Sequence, residues 1–190
     1  MTRHFLPVGS VVLGFAAAIA PVAAQTKSGH PPACAANELT MTFDGEQGNF
    51  NGMSHSGARL ILRNIGTHVC TVPQKPQFSF QDAAGKILSL RMAVLPGMHP
   101  GPVTLPVAVP PEAEATGTLR WVSGDVYGSG ICVQARTAIL TVGKDKLQAD
   151  INANVCGPAG AVPQYEQQSL HRDTVYTPGN AIDARKGATP

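Results

Sequence analysis

The stretch that decides the fold reads Arg59-Leu-Ile-Leu-Arg-Asn-Ile-Gly-Thr-His-Val-Cys-Thr-Val72, then a proline-spaced link, then Phe78-Ser-Phe-Gln-Asp-Ala-Ala-Gly85. Leu60 and Leu62 alternate with residues of the other face, which is the period-two pattern of a strand with one buried side. Asn and Gly within 64–66 tolerate the positive φ of a sharp corner, and the prolines that follow prevent a helix. The stretch therefore predicts two strands joined by a corner that carries Cys70, followed by a hairpin turn at 82–85.

The rest of the chain continues this rhythm of short strands and turns. It holds 20 glycines and 16 prolines in 190 residues, a content that favours many turns and few long helices. Strands are predicted at 38–43, 58–64, 78–81, 86–90, 103–109 (an edge strand because of its prolines), 116–122, 138–142 and 147–151. We therefore expect an all-β fold, an antiparallel immunoglobulin-like β-sandwich of about 7-8 strands.

The N-terminal residues predict export. Met1-Thr-Arg-His4 gives a positive start, an apolar run extends from Phe5 to about Ala20, and small residues lead up to Ala24. Residues 1–24 are therefore predicted to be a signal peptide. The alternative is an uncleaved anchor, but the run is too short and too rich in glycine and alanine for a span of about 20 residues. We expect an extracytoplasmic protein, periplasmic or secreted, with no transmembrane segment after cleavage.

The composition of the remaining chain predicts three parts. Residues 25–33 are polar and are expected to form a linker. Residues 34–157 contain the strands and constitute the immunoglobulin-like domain. After 157 the apolar rhythm stops, and residues 158–190 are predicted to be a disordered C-terminal tail, because no run there is able to bury a face.

All four cysteines, Cys34, Cys70, Cys132 and Cys156, lie beyond the predicted signal peptide. An even number of cysteines in an exported chain indicates a disulfide framework. Three pairings are possible, and the simplest is Cys34–Cys70 with Cys132–Cys156, because each half of the domain holds two cysteines. The alternative is a metal site, but the chain has no Cys-x-x-Cys, and its one close histidine–cysteine pair is His68 with Cys70. We therefore expect two structural disulfides.

The composition argues against several classes of function. Charged residues make up 14% of the chain and the net charge is +2, whereas a nucleic-acid partner would need a basic patch or stripe. There is no Gly-x-Ser-x-Gly elbow, and His55, His68 and His99 fall on separate predicted loops or corners. A nucleophile with a positioned base is therefore not expected. The prediction is a non-enzymatic protein with no cofactor and no nucleic-acid partner.

Four features of the chain together match a known pattern. They are Cys34 followed shortly by a strand, the unit from Leu60 to Val72, Phe78-Ser-Phe-Gln-Asp-Ala-Ala-Gly85, and a late half with Ala115-Thr-Gly-Thr-Leu-Arg-Trp-Val122, Cys132, 138–142 and Val155-Cys156. On these features the chain resembles the bacterial family called domain of unknown function 4232. The resemblance covers roughly residues 34–156, and its one departure, Pro110-Pro-Glu112 in place of proline-glycine, concerns a local turn. The resemblance implies an exported or lipid-anchored immunoglobulin-like sandwich and supplies no catalytic residues.

The role that fits these features is a binding or structural module at the cell envelope, with an unknown envelope or extracellular partner. Loops of a sandwich often carry its function. The glycine-rich loop Gly124-Asp-Val-Tyr-Gly-Ser-Gly130 offers Tyr127 as an exposed aromatic residue for binding carbohydrate or protein. The competing interpretation is a plain connection next to a disulfide.

The alternative function is periplasmic copper binding. Thioether and imidazole ligands suit Cu(I). Met53-Ser-His55 places one such pair in the loop at 44–57, and Met98-His99 places another between prolines. If the two loops meet at one end of the sandwich, Met53, His55, Met98 and His99 form a Met/His cluster. Otherwise they are unrelated loop residues.

Overall fold

The computed structural model describes residues 29–94, 103–124 and 126–173. The compact unit that contains the sandwich begins at Pro31. The predicted signal peptide at 1–24 and the copper candidates Met98 and His99 lie outside the described residues. In the part that is described, no helix is both long enough and apolar enough to cross a bilayer.

The described residues form eleven strands and two short 3₁₀ turns, and they contain no α-helix. The strands are β1 Leu39–Asp44, β2 His55–Asn64, β3 Cys70–Val72, β4 Phe78–Gln81, β5 Arg91–Met92, β6 Val107–Val109, β7 Glu114–Val122, β8 Ile131–Val142, β9 Asp145–Gly157, β10 Gln164–Gln167 and β11 His171–Arg172. The 3₁₀ turns, Ala36–Glu38 and Glu46–Gly48, flank β1. The all-β prediction is confirmed. The predicted strand at 86–90 is reduced to one bridge, between Gln81 and Ile87.

Two sheets enclose the core of the sandwich. The first has the order β1-β2-β7-β10-β5, with β11 also on β7, and the second has the order β4-β8-β9. A separate two-stranded ladder joins β3 to β6. The ladders are antiparallel except for the short β10–β5 pair. Phe80 of β4 and Tyr165 of β10 meet edge to face across the core, with ring centroids 5.1 Å apart.

Alternate residues of the strands make this core. Leu60 and Leu62 of β2 are fully buried, as their pattern predicted. Leu119 and Trp121 of β7 are also buried. Each such side chain stabilises the fold by about 1.5–3 kcal/mol relative to an exposed one, so the two sheets are held together mainly by these rows.

The corner after β2 is held by the side chain of Asn64 rather than by a positive φ. Neither Asn64 nor Gly66 lies in the left-handed region, so this part of the prediction is wrong. Asn64 Nδ2 donates to the carbonyl oxygens of His68 at 2.9 Å and Val109 at 2.8 Å, and its Oδ1 accepts from Gly66 N at 2.8 Å. A Cβ at Gly66 would lie 3.1 Å from Asn64 Oδ1, so a larger residue there would press on the side chain that holds the corner.

The prediction of a disordered tail is wrong for residues 158–173. Both β10 and β11 pair with β7. Tyr165 and Leu170 are almost fully buried, and Thr116 Oγ1 donates to Asp173 Oδ1 at 2.9 Å. The segment reads as polar because most of its contact with the domain is backbone pairing, which leaves little apolar signal. The sandwich therefore extends to Asp173, and the residues beyond lie outside the described part.

The predicted linker at 25–33 also ends earlier than expected. The N–H of Thr71 donates to the Pro32 carbonyl at 2.8 Å, and the N–H of Cys34 donates to the Thr71 carbonyl at 2.9 Å. Ala33 forms a bridge with Thr71 between these two bonds. The chain therefore joins the domain alongside β3, before the first cysteine.

Candidate functional site

Both predicted disulfides are present, with the predicted pairing. Cys34 is bonded to Cys70, and Cys132 is bonded to Cys156. The first bridge ties the start of the domain to β3. The second joins directly opposite residues of β8 and β9, so it braces one sheet at the end of β9.

A cleft of about 650 Å³ opens where β2 and β10 begin and β7 and β9 end. We call it the polar end cleft. Its lining includes His55, Arg120, Trp121, Tyr127, Gln164 and Glu166. Its volume falls within the roughly 300–1,000 Å³ of small-ligand sites.

The ladder between β7 and β10 positions two opposite charges at this cleft. Arg120 lies directly opposite Glu166, and Trp121 lies directly opposite Tyr165. Successive side chains of a strand point to opposite faces. Arg120 and Glu166 are accordingly exposed, whereas Trp121 and Tyr165 are buried. Arg120 and Glu166 therefore project from the exposed face of the sheet, on adjacent strands at the cleft.

Gln164, at the start of β10, is held by the neighbouring strand β5. In the amide orientation that satisfies both side chains, Gln164 Oε1 accepts from Arg91 Nε at 3.2 Å and from Arg91 Nη2 at 3.0 Å. The NH₂ end of the amide is then the part of Gln164 that can donate to a ligand.

His55 reaches the cleft from a tight turn at the start of β2. Gly52 and His55 exchange backbone hydrogen bonds of 2.9 Å and 3.2 Å, which leaves Met53 and Ser54 at the tip. The N–H of Ser123 donates to the Ser54 carbonyl at 2.8 Å, so this turn is attached to the segment that leads towards Tyr127. The structure thus brings together an imidazole and a phenol that the sequence assigned to separate hypotheses.

Trp121 borders the same cleft from the core side. It is 5% exposed and is the only tryptophan of the chain. Its indole Nε1 has no hydrogen-bond partner among the residues that the structure describes. A buried donor left without a partner costs about 1–3 kcal/mol.

The copper hypothesis concerns four residues, of which the structure places two. Met53 is fully exposed at the turn tip, and His55 lines the polar end cleft. Across 29–94, 103–124 and 126–173, no three or more His, Cys, Asp and Glu side chains gather in a way that could hold a metal ion. Because Met98 and His99 fall between the described ranges, their convergence with Met53 and His55 stays a prediction.

The sequence pattern singles out Tyr127 and His55, but it does not single out Arg120, Gln164 or Glu166, which line the same cleft. Several strands carry exposed charged residues, and no local pattern distinguishes Arg120 from the others. Gln164 and Glu166 fall in the segment that composition assigns to a tail. The signal that identifies them is the alternation Gln-Tyr-Glu-Gln at 164–167, in which the buried tyrosine marks the inner face.

The family model described as Domain of unknown function (DUF4232) matches residues 34–171. The matched range includes β10 and reaches β11, which agrees with a domain that continues past β9. No curated protein and no solved structure matches the chain.

Proposed function

Because the chain belongs to the family described as Domain of unknown function (DUF4232), which assigns no activity, we propose from its residues an exported, non-enzymatic module that binds a saccharide in the polar end cleft. The observation that carries the proposal is the meeting of Tyr127 with the polar side chains of Arg120, Gln164 and Glu166 around one cleft. The module works at the cell envelope, where saccharides are abundant.

The chemistry of the lining suits a saccharide. A sugar ring has an apolar C–H face, which packs on an aromatic ring, and a rim of hydroxyl groups, which hydrogen-bond to polar side chains. Tyr127 is 42% exposed on its loop and supplies an amphipathic aromatic surface. Arg120 donates, Glu166 accepts, and Gln164 can donate through its amide, so both halves of a hydroxyl find partners.

Export is supported by the cysteines and by the N-terminal residues. Disulfides persist in oxidising compartments and are rare in the cytoplasm, and both bridges of this chain close. The test is the intact mass of the exported protein. We expect a chain that begins at Gln25 and takes up four alkyl groups only after reduction. Retention of residues 1–24 or alkylation without reduction would contradict this part of the proposal.

Saccharide binding can be followed through the intrinsic fluorescence of Trp121, the single tryptophan. Chitotriose, cellotriose and the disaccharide of N-acetylglucosamine with N-acetylmuramic acid are titrated into the protein. We expect at least one to change the emission saturably. Arg120→Gln and Tyr127→Ala should each weaken the affinity for that saccharide by about tenfold, equivalent to about 1.4 kcal/mol.

The matched control is Arg136→Gln, because Arg136 is exposed on β8 in the other sheet and does not line the polar end cleft. This variant should bind with unchanged affinity. If no saccharide of the panel binds, or if Arg120→Gln and Arg136→Gln bind equally, the proposed ligand is wrong.

A further inference from the structure

A larger cleft, of about 840 Å³, opens between the two sheets at the opposite end of the sandwich. β2 starts at the polar end cleft with His55 and reaches the second cleft at Leu62. β9 runs the other way, from Asp145 at the second cleft to Cys156 at the first. We call the second one the apolar end cleft. It is separate from the site of the proposed function.

The lining of the apolar end cleft comes from both sheets and from β3. Its apolar members include Leu39, Leu62, Val72, Phe78, Leu140 and Val142. Phe78 and Val142 are half-buried and form walls, whereas the other four are buried and form the floor. Apolar surface that remains in contact with water is unfavourable, and an apolar ligand that fills the cleft removes it.

Two lysines stand at the rim. Lys75 lies in the proline-flanked link between β3 and β4, which is fixed because the N–H of Leu170 donates to the Gln74 carbonyl at 2.7 Å. Lys144 lies in the turn between β8 and β9. Within the described residues neither lysine forms an ion pair. Asp145 is the one carboxylate among the described lining residues, so the rim carries excess positive charge.

We infer that the apolar end cleft binds an amphiphile with one unbranched apolar chain and an anionic head group. The apolar chain of the ligand lies between the sheets, over the floor of the cleft, and its head group lies at Lys75 and Lys144. An uncharged amphiphile would cover the apolar walls and leave the lysines unpaired. A small ion would pair with the lysines and leave the exposed parts of Phe78 and Val142 in water. The volume lies within the roughly 300–1,000 Å³ of small-ligand pockets.

The test uses the full folded chain and a fluorescent probe of this chemistry, 11-(dansylamino)undecanoic acid. Dodecanoate, decanoate and 1-dodecanol are then added as competitors, below the concentrations at which they aggregate. We expect dodecanoate to displace the probe about tenfold better than dodecanol, because the head group contributes. Decanoate should compete less well, with about a twofold to fourfold loss for each methylene removed.

Two pairs of variants locate the site. The double variant Lys75→Gln with Lys144→Gln should weaken the affinity for dodecanoate about tenfold and leave the affinity for dodecanol unchanged. The double variant Lys86→Gln with Arg136→Gln removes the same charge elsewhere on the exposed surface and should change neither affinity. Val142→Glu should abolish probe binding because Val142 lines the cleft, whereas Val133→Glu should retain it because Val133 does not. The two are matched, since both are half-buried valines of β8 that pack against the core. Circular dichroism checks that each variant is folded.

Three outcomes would overturn the inference. Equal competition by dodecanol and dodecanoate would show that the cleft does not recognise an anionic head group. An equal loss of dodecanoate affinity in the two charge-changing pairs of variants would show that Lys75 and Lys144 do not bind the head group. Absence of probe binding, together with a dimer in solution that Val142→Glu dissociates, would mean that a second copy of the chain covers the cleft.

Discussion

The side chain of Asn64 donates a hydrogen bond of 2.8 Å to the backbone carbonyl of Val109. Asn64 is fully buried at the end of β2, and Val109 ends β6. One amide therefore joins the first sheet to the small β3–β6 ladder. Its remaining polar atoms close the corner that carries the chain from β2 to Cys70.

Replacement of Asn64 tests this corner. Asn64→Ala removes three hydrogen bonds, one of them a buried bond to the Val109 carbonyl, so we expect the free energy of unfolding to fall by about 3 kcal/mol. Urea denaturation measures the loss. Asn152→Ala is the matched control, because Asn152 is exposed on β9, and it should change stability by about 0.5 kcal/mol or less. Equal effects of the two variants would contradict the role of Asn64.

The two disulfides should contribute similar stability. Their cysteines are separated by 24 and 36 residues, and the chain-entropy relation gives about 3–4 kcal/mol for loops of this length. We therefore expect Cys132→Ser with Cys156→Ser, and Cys34→Ser with Cys70→Ser, each to lower the free energy of unfolding by about that amount. Denaturation of the unreduced variants gives the measurement. A loss below about 1 kcal/mol for either pair would contradict this reading.

Truncation separates the predicted boundary from the observed one. A chain that ends at Gly157 loses β10 and β11, and with them the buried side chains of Tyr165 and Leu170. Removing such side chains costs about 2–5 kcal/mol each, so this chain should be unfolded or insoluble. A chain that ends at Asp173 should unfold at the same denaturant concentration as the full chain. If the shorter chain is equally stable, β10 and β11 are not part of the cooperative fold.

Stability should fall in alkaline solution because of Tyr165. Burial raises the pKa of its phenol, and a hydrogen bond with the backbone of Phe78 opposes this with a smaller effect. The folded-state pKa thus exceeds the ordinary value near 10. The neutral phenol contributes its stability below about pH 10, and that contribution is lost as the pH rises through the folded-state pKa.

The variant Tyr165→Phe isolates this effect, because it retains the ring and removes the ionisable group. Unfolding free energies measured from about pH 8 to about pH 11 should fall less steeply in the variant than in the natural chain. The absorbance of tyrosinate should show one late-titrating tyrosine that the variant lacks. Identical slopes for the two proteins would contradict the assignment.

The features that the sequence predicts best are those with strong local patterns. Leu60 and Leu62 alternate within a long strand, so their burial could be predicted without knowledge of the partner strand. The cysteine pairing follows from placement in two halves and is confirmed. By contrast, β10 has one buried apolar side chain, Tyr165, in four residues, and its stability depends on an edge of β7 that no local pattern reveals.

The candidate sites were harder to predict, for a related reason. Tyr127 and His55 could be chosen by residue type, but the cleft that joins them depends on Arg120 and Glu166 being opposite each other in a non-local ladder. The apolar end cleft is likewise built from both sheets, and its lysines are individually unremarkable surface residues. Copper binding by Met53, His55, Met98 and His99 stays a prediction.

The position of β7 between β2 and β10 also sets an order of events during synthesis. β8 and β9 form a local hairpin, whereas β2 must wait for a strand that lies more than 50 residues later in the chain. Chains emerge from the N-terminus, and non-local pairing is slow. The first sheet therefore cannot close until Asp173 has emerged. Until then the edge of β7 that β10 and β11 cover is unpaired, and an unpaired edge is a template for pairing with other chains.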